Sequence, residues 1–596
     1  MQIHYKDNSL ERVLIGVNVL AAGVVVASFV LLFGFDRPLL PAWILYTTQV
    51  VLLCVFVAEK IVRLFNAAAK AEFWRANWYE IPLLLALAVA VVSAGRHYAP
   101  EGKEASIVRH FAVGVYLVVQ VVAKLCRTSV DLAASGKNPT QTLIASFLVL
   151  TLSGAGLLML PAASAPGKAS LSFADALFTA TSAACVTGLS VKDAGQDFSV
   201  PGQVVILALI QLGGLGIVVF GAVFALLLGQ ALSLRESVAM QDLLSAGTLS
   251  RIGNMIAFVF VGTIFIEAVG AASLFHMWAD DVPHRWFCSI FHSVSAFCNA
   301  GIGLFRNSFV DYRRSWQVYV VICPLIILGG LGFSVLYDLA NMAADRMSRV
   351  CRRCFSRRCR FAMEAPKRMR LQTKIVLTVS TYLILLGALA IFVFDRYAAG
   401  PNAGAPGPVM DRIGGALFQS VTARTAGFNT IDISAMSASG RFVLILLMLI
   451  GGSPGGTAGG IKTVTLAVVI GTAVTALLRR QEVEMFRRSV RPVVVGRAVT
   501  VTLLFVAVFF VGTLTLSISE NSRGFSLSDV MFETASALGT VGLSTGITPS
   551  LTIVGKLTII TMMVIGRLGP LTLLAALTFN LKPAKYNYPD EAIMVG

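Results

Sequence analysis

Charge is scarce in this chain: only 13% of its 596 residues are Asp, Glu, Lys or Arg, while 56% are apolar. So few charges cannot clothe a soluble protein of this length, and the mean hydropathy of +0.79 reads as a chain that crosses a membrane many times. Histidine is rarer still, six in all, scattered and without a nucleophile beside a base, which leaves no enzyme signature. The nine cysteines give no disulfide framework. Cys54, Cys126 and Cys323 fall in or beside apolar spans, where thiols pack as small hydrophobes. Cys351-x-x-Cys354 with Cys359 lacks a fourth metal ligand and lies in an Arg-rich run that repels a cation. Acidic residues are outnumbered 31 to 48, for a net charge of +17. That charge would suit nucleic acid if it were spread, but it is gathered into two stretches. Residues 341–374 hold eleven Lys or Arg against Asp345 and Glu364, and 479–497 hold six against Glu482 and Glu484. Basic stretches flanking apolar spans mark the cytoplasmic side, where the thiols are expected to be reduced. Their candidate partners are membrane lipid and a soluble protein, with no nucleic acid. Met1 to Arg12 is polar and the next apolar run is long enough to span, so no cleavable signal peptide is read there.

What is abundant is one short signal, present four times: Phe178-Thr-Ala-Thr-Ser-Ala183, Phe291-His-Ser-Val-Ser-Ala296, Phe418-Gln-Ser-Val-Thr-Ala423 and Phe532-Glu-Thr-Ala-Ser-Ala537. A glycine follows each within five residues, at Gly188, Gly301, Gly427 and Gly542, and successive glycines are 113, 126 and 115 residues apart. Each interval holds two membrane-crossing helices and a short re-entrant one. A second landmark recurs 25, 28, 24 and 24 residues further on: Gly213-Gly-Leu-Gly216, Gly329-Gly-Leu-Gly332, Gly451-Gly452 and Gly566-Arg-Leu-Gly569. Close helix packing accounts for most such glycine pairs. The expected fold is therefore an all-α polytopic membrane protein, with four tandem helix–pore loop–helix repeats around one central pore and about four extra transmembrane helices in front.

The boundaries follow from the apolar runs. Residues 1–137 form the N-terminal extension, with spans at Val13 to Phe35, Ala42 to Phe65, Trp78 to Ala94 and Val108 to Leu125. Repeat 1 covers 138–250, repeat 2 251–340, a basic cytoplasmic loop 341–374, repeat 3 375–496, and repeat 4 with the C-terminal tail 497–596. The first span of repeat 1 runs from Thr140 to Leu160, and the spans that return to the cytoplasm are Val204 to Leu228, Val318 to Leu339, Phe442 to Leu478 and Leu551 to Phe579. Ser172-x-x-Asp175 and Ser526-x-x-Asp529 have capping-box spacing and predict the starts of two re-entrant helices. The third returning span is overlong, and its middle, Gly451-Gly-Ser-Pro-Gly-Gly-Thr-Ala-Gly-Gly-Ile-Lys462, cannot be a regular helix.

Aligned on their glycines, the loops contain Val186, Thr187 and Gly188; Asn299, Ala300 and Gly301; Thr425, Ala426 and Gly427; Thr540, Val541 and Gly542. The third is one residue shorter between its alanine and its glycine. No carboxylate occurs at these positions, so the ligands on offer are backbone carbonyls, with glycine allowing the chain to turn them toward an axis. Such a ring suits a weakly hydrated monovalent cation, potassium before sodium. Short helices ending there would aim their negative ends at the ion. Arg567 lies deep in the last span, either as a pore-facing barrier or in a buried pair. Gly451, Gly452, Ser453, Pro454, Gly455, Gly456, Thr457, Ala458, Gly459 and Gly460 form a candidate plug, and Lys462 either anchors it or snorkels.

On these residues the chain from about Asn138 onward resembles the Trk/Ktr/HKT superfamily of potassium transporters, the TrkH and KtrB membrane subunits especially. Thr-Gly-Leu at 187–189, Ser-Ala-Phe-Cys-Asn-Ala-Gly at 295–301, Ala-Arg-Thr-Ala-Gly-Phe-Asn-Thr at 423–430 and Gly-Thr-Val-Gly-Leu-Ser at 539–544 carry the resemblance. It implies a potassium-uptake pore with the twelve loop residues as selectivity filter, the 451–462 stretch as intramembrane gating loop and Arg567 as pore arginine. It further implies a homodimer in the bacterial cytoplasmic (inner) membrane with both termini cytoplasmic. A cytoplasmic ring of RCK subunits, TrkA- or KtrA-like, would control the gate, and ATP/ADP or NAD would bind to that ring only, with no cofactor held covalently by this chain. Gly188 favours potassium, because plant relatives that pass sodium carry serine there. A sodium- or proton-coupled secondary transporter is the alternative, and Glu267 is the conspicuous intramembrane carboxylate it would use. The N-terminal extension departs from the pattern. Glu59, Lys60 and Arg63, then Phe73-Trp74 and Asn77-Trp-Tyr-Glu80, look like part of a voltage-sensor-like domain. The fourth span has only Arg109, Lys124 and Arg127 at its ends, so a scaffold role is expected instead.

Overall fold

The computed structural model of the chain describes residues 7–35, 39–70, 139–216, 252–280, 282–355, 368–398 and 409–570, with a few single positions between 74 and 120. Among these residues the secondary structure is helical apart from one two-stranded hairpin. The first two apolar runs form α1 (Asn8–Phe33) and α2 (Ala42–Asn66), packed through Ala21, Val25, Leu52 and Phe56. Arg63 on α2 is held by Glu59 at 2.6 Å and Glu11 at 2.9 Å, so its charge is neutralised within the bundle. Most of the third and fourth expected spans, and the aromatic run at 77–80, lie outside the described residues.

Four helix groups follow. The first is α3 (Pro139–Leu158), α4 (Phe173–Ala184) and α5 (Val200–Leu215). The second is α6 (Ile252–Leu274), α7 (Arg285–Cys298), α8 (Cys323–Leu331, entered through a π-turn at Val318–Ile322) and α9 (Phe333–Phe355). The third is α10 (Leu371–Ala398), α11 (Val409–Thr422), α12 (Ala438–Leu449) and α13 (Thr463–Leu477). The fourth is α14 (Pro492–Ser519), α15 (Leu527–Gly539) and α16 (Ile553–Leu568). Five helices among the described residues are long and apolar enough to cross a membrane, six if the bent pair in the second group is one span.

Local chemistry starts these helices. Ser172 and Ser526 cap α4 and α15, accepting from the amides of Asp175 and Asp529 at 3.2 Å. Both carboxylates also pair with bases elsewhere in the chain, while Asp529 keeps a bond from the Ser526 hydroxyl at 2.6 Å. The inner helices α5, α12 and α16 begin at Ser199, Ser437 and Thr552, each bonded to the amide of a glycine three residues on. The phenylalanine opening each repeated signal is fully buried, and burying such a ring contributes roughly 1.5–3 kcal/mol. These four rings root the short helices in the core.

Two expectations need correction. The span read as Val318 to Leu339 is not one helix: its axis turns by 104° at Gly332, which takes φ +88°. The stretch read as a basic loop from 341 is helical through Phe355, where Arg349 pairs with Asp345 one turn back at 2.9 Å; its middle, with Cys359, is outside the described residues. The spans expected to reach Leu228 and Phe579 are described only to Leu215 and Leu568, where Gly216 and Gly569 take φ +83° and +84°. Residues 479–497 hold the hairpin Glu484–Met485 with Arg488–Ser489, turned through positive φ at Phe486 and Arg487.

Candidate functional site

The helices α4, α7, α11 and α15 all end at the repeated glycine loops, so their negative ends converge on one region. In each loop the glycine and the residue two before it take positive φ: Val186 and Gly188, Asn299 and Gly301, Thr425 and Gly427, Thr540 and Gly542. Each loop is also tied by the same bond. The amide just before the glycine donates to the carbonyl of the fifth residue of the signal: Thr187 to Ser182 at 2.8 Å, Ala300 to Ser295 at 2.7 Å, Ala426 to Thr422 at 2.8 Å and Val541 to Ser536 at 2.8 Å. The shorter third loop closes this bond with one residue fewer.

The glycines touch in a closed cycle. A Cβ placed on Gly188 would lie against Ala300 O, on Gly301 against Ala426 O, on Gly427 against Val541 O and on Gly542 against Thr187 O, every approach 2.6 Å or less. Each repeat thus presents the carbonyl before its own glycine to the glycine of a neighbour, in the order 1, 2, 3, 4 and back to 1. Outside the ring, all four glycines open into one cavity of about 280 Å³, whose polar lining includes Asp193, Asn429, Asp432, Ser544 and Thr545.

On the other side of the ring lies the broken stretch between α12 and α13. Asn299 donates to Thr457 Oγ1 at 3.1 Å, and Gly459 sits so close to Thr540 that a Cβ there would collide with its hydroxyl. The stretch is closed on itself by Gly451 N to Ile461 O at 3.0 Å and Thr463 N to Gly452 O at 3.0 Å, with Ser453 Oγ 3.3 Å from Thr463 Oγ1. It is also stitched to the bend in the second repeat. Ser453 N donates to Gly330 O at 3.0 Å and Phe333 N to Gly455 O at 3.0 Å, while Pro454 O and Gly456 lie against Gly332. The same left-handed glycine ends the corresponding helices in repeats 1 and 4, at Gly216 and Gly569, so the turn belongs to the repeated landmark, and in repeat 2 the broken stretch packs into it.

Arg567 bridges two repeats. One guanidinium nitrogen donates to Thr457 O, the other to Gly213 O and, at 3.2 Å, to Gly214 O. Lys462 Nζ donates to Ala458 O, a bond within the stretch itself. Among the described ion pairs, Arg567 has no carboxylate partner. The first glycine of the second landmark abuts the end of its own short helix: Gly213 against Ala184 O, Gly329 against Phe297 O, Gly566 against Leu538 O. In the third repeat Gly451 instead meets Gly459 O.

Ion pairs also join neighbouring repeats at the outer end. Asp175 in the first turn of α4 pairs with Lys556 of α16 at 2.6 Å, Asp411 of α11 with Arg314 at 3.1 Å, and Asp529 of α15 with Arg441 of α12 at 2.8 Å. Sequence reasoning overlooked these pairs, and it overlooked Glu533. That carboxylate is fully buried on α15 and accepts from Ser544 and, at 3.1 Å, from Thr548. At the same place in repeat 2, His292 accepts from Leu304 N at 3.3 Å. The second residue of the signal therefore braces the outer wall in these two repeats. Glu267 is buried as well, accepting from Gln211 at 3.2 Å and lying 3.8 Å from Cys298 Sγ, one residue before the second loop.

Comparison with known proteins agrees with this architecture. The TrkH family, described as cation transport proteins, matches residues 106–587. The Ktr system potassium uptake protein B of Bacillus subtilis is 35% identical over 467 residues, 77% of this chain and 97% of that protein. The potassium/sodium uptake protein NtpJ of Enterococcus hirae is 34% identical over 468 residues, again 77% of this chain and 97% of its own length. The crystal structure of the potassium transporter TrkH from Vibrio parahaemolyticus matches with a TM-score of 0.56 at 18% identity, over 84% of this chain and 96% of that one, a likeness of fold. A multi-pass membrane protein of transport type, not an enzyme, results from helices, repeats and relatives taken together: the chain belongs to the TrkH family of cation transport proteins.

Proposed function

We propose that this protein takes up potassium across a bacterial cytoplasmic membrane through a channel-like pore. The observation that carries the reading is the closed cycle in which each loop glycine abuts a carbonyl of a neighbouring repeat. Carbonyls gathered in this way replace a hydration shell without side-chain charge. The twelve loop residues from Val186 to Gly542 are the selectivity filter, and the ion passes between them. The 451–462 stretch is the gate, held under the filter by Arg567 and closed internally by Lys462. The named activities of the Bacillus and Enterococcus relatives support potassium as the cargo, with sodium as the competing ion. In this reading two copies of the chain pair in the lipid bilayer with their termini in the cytoplasm, and a nucleotide-binding RCK ring docks on the basic cytoplasmic side.

Expression in a bacterium that lacks its own potassium uptake tests the reading. Growth at low external potassium is expected from the native chain and not from chains with valine at Gly188 or Gly542. Growth that survives both substitutions would overturn the filter assignment.

A further inference from the structure

The fifth residue of every repeated signal carries a hydroxyl: Ser182, Ser295, Thr422 and Ser536. All four are fully buried, and each hydroxyl reaches the loop that follows it. In repeats 1 and 4 it accepts from the loop glycine itself, Gly188 N to Ser182 Oγ at 3.1 Å and Gly542 N to Ser536 Oγ at 3.0 Å. In repeats 2 and 3 it donates to the carbonyl just past the glycine, Ser295 Oγ to Ile302 O at 2.7 Å and Thr422 Oγ1 to Phe428 O at 2.6 Å. Helix capping explains neither bond, because the partners lie six or seven residues further on.

The two modes fix different peptide groups. In a trans peptide the N–H and C=O point in opposite directions. A hydroxyl that grips Gly188 N–H from the helix side therefore holds Thr187 C=O toward the other side, and Ser536 does the same for Val541 C=O. Those are the carbonyls that lie against Gly542 and Gly427 in the ring. In repeats 2 and 3 the gripped carbonyl is one residue outside the ring, and tying it back withdraws it from the ion. Without the hydroxyl, a buried amide or carbonyl is left unpaired and the peptide is free to turn over.

We propose that Ser182, Ser295, Thr422 and Ser536 are positioning residues of the cation pathway, with Ser182 and Ser536 aiming ring carbonyls and Ser295 and Thr422 drawing outer carbonyls back. The inference rests on the filter reading above. It makes the four repeats unequal in a defined way: repeats 1 and 4 depend on the hydroxyl for ion affinity, whereas repeats 2 and 3 depend on it at the mouth.

Titration of the purified full-length protein with potassium and with sodium, followed calorimetrically, tests this without requiring an open gate. S182A and S536A are expected to weaken potassium binding tenfold or more, equivalent to about 1.4 kcal/mol, and to lower the potassium-to-sodium affinity ratio. S295A and T422V are expected to weaken it less than threefold. S536T, which restores a hydroxyl of the kind repeat 3 already uses, is expected to bind within threefold of the native protein. T534V removes a buried hydroxyl on the same helix that contacts Thr513 and Val530 O instead of the filter, and is expected to leave the ratio unchanged. Gel filtration and thermal unfolding without ions identify any variant that fails to fold. Native-like binding by folded S182A and S536A, or an equal loss in T534V, overturns the proposal. Absence of potassium binding by the native chain would instead overturn the filter reading.

Discussion

For the gate proposed above, replacing Arg567 separates two ways in which a buried arginine could close a pore. Its guanidinium donates to Thr457 O on the third repeat and to Gly213 O and Gly214 O on the first. Hydrogen bonds from a charged group contribute roughly 1.5–3 kcal/mol each. Counting only one bond to each repeat at the lower figure, the bridge favours the closed arrangement by about 3 kcal/mol, on the order of a hundredfold in the closed-to-open ratio. R567Q keeps some length but loses both the charge and the fork. Rubidium uptake into proteoliposomes is therefore expected to rise strongly in R567Q, with potassium affinity at the filter unchanged. R567K decides between bridge and barrier. Lysine keeps the charge as a point and cannot span both repeats at once, so uptake near that of R567Q identifies the bridge. Native-like uptake in R567K assigns closure to charge alone, and native-like uptake in R567Q refutes the gate assignment altogether.

Other expectations follow from the same geometry. G332A puts a side chain at φ +88° and 2.7 Å from Pro454 O; a cysteine placed at Thr457 should then react faster with a cytoplasmic thiol reagent than in the native background. Asp175 and Lys556 join repeat 1 to repeat 4 at 2.6 Å, so D175N and K556M should be non-additive in thermal unfolding, and additive losses would mean that the pair does not couple the repeats. E267Q tests ion coupling: potassium uptake that stays independent of sodium and pH in both proteins excludes Glu267 as a coupling group. Asp197 sits in an outer loop. Burial alone would raise its pKa, but the hydrogen bond and charge of Lys168, with Lys192 nearby, outweigh it and hold the carboxyl below its ordinary value. Its contribution is thus present above the unfolded carboxylate pKa and lost as pH falls through the lower folded value. D197N should flatten the acid limb of the stability profile.

The parts legible in the sequence were those set by local chemistry. The glycine of each loop announced itself because positive φ and close backbone approach exclude other residues, and the caps at Ser172 and Ser526 sit where their spacing put them. The Gly-Pro-rich break between α12 and α13 was equally legible, since no helix tolerates that composition. The turn at Gly332 was not, because glycine pairs in membrane spans read as close helix packing, whereas here the final glycine of the landmark takes positive φ and ends the helix, as it also does at Gly216 and Gly569. Glu533 escaped for another reason. Its partners Ser544 and Thr548 come from the chain past the fourth glycine loop, and only the fold brings them to it.

Carrying all four walls of the pore on one polypeptide has a consequence that four identical subunits could not reproduce. Arg567 occurs in one repeat, where the others have glycine at Gly214, Gly330 and Gly452. Four guanidiniums about 8 Å apart at an effective dielectric of about 20 would repel by roughly 2 kcal/mol per pair, and they would crowd the axis that the ion must use. One arginine needs only carbonyl acceptors, and it finds them on the first and third repeats. The broken stretch is equally single: a second copy would need the space that Gly332 clears for Pro454 and Gly456. Selection calls for near-equivalent loops, because the glycine cycle closes only if all four approach the axis alike. The proposed closure calls for inequality, because one plug and one charge would fill the axis where four would collide. Four units on one chain allow both demands to be met in the proposed pore, with the loops kept alike and the helices below them different.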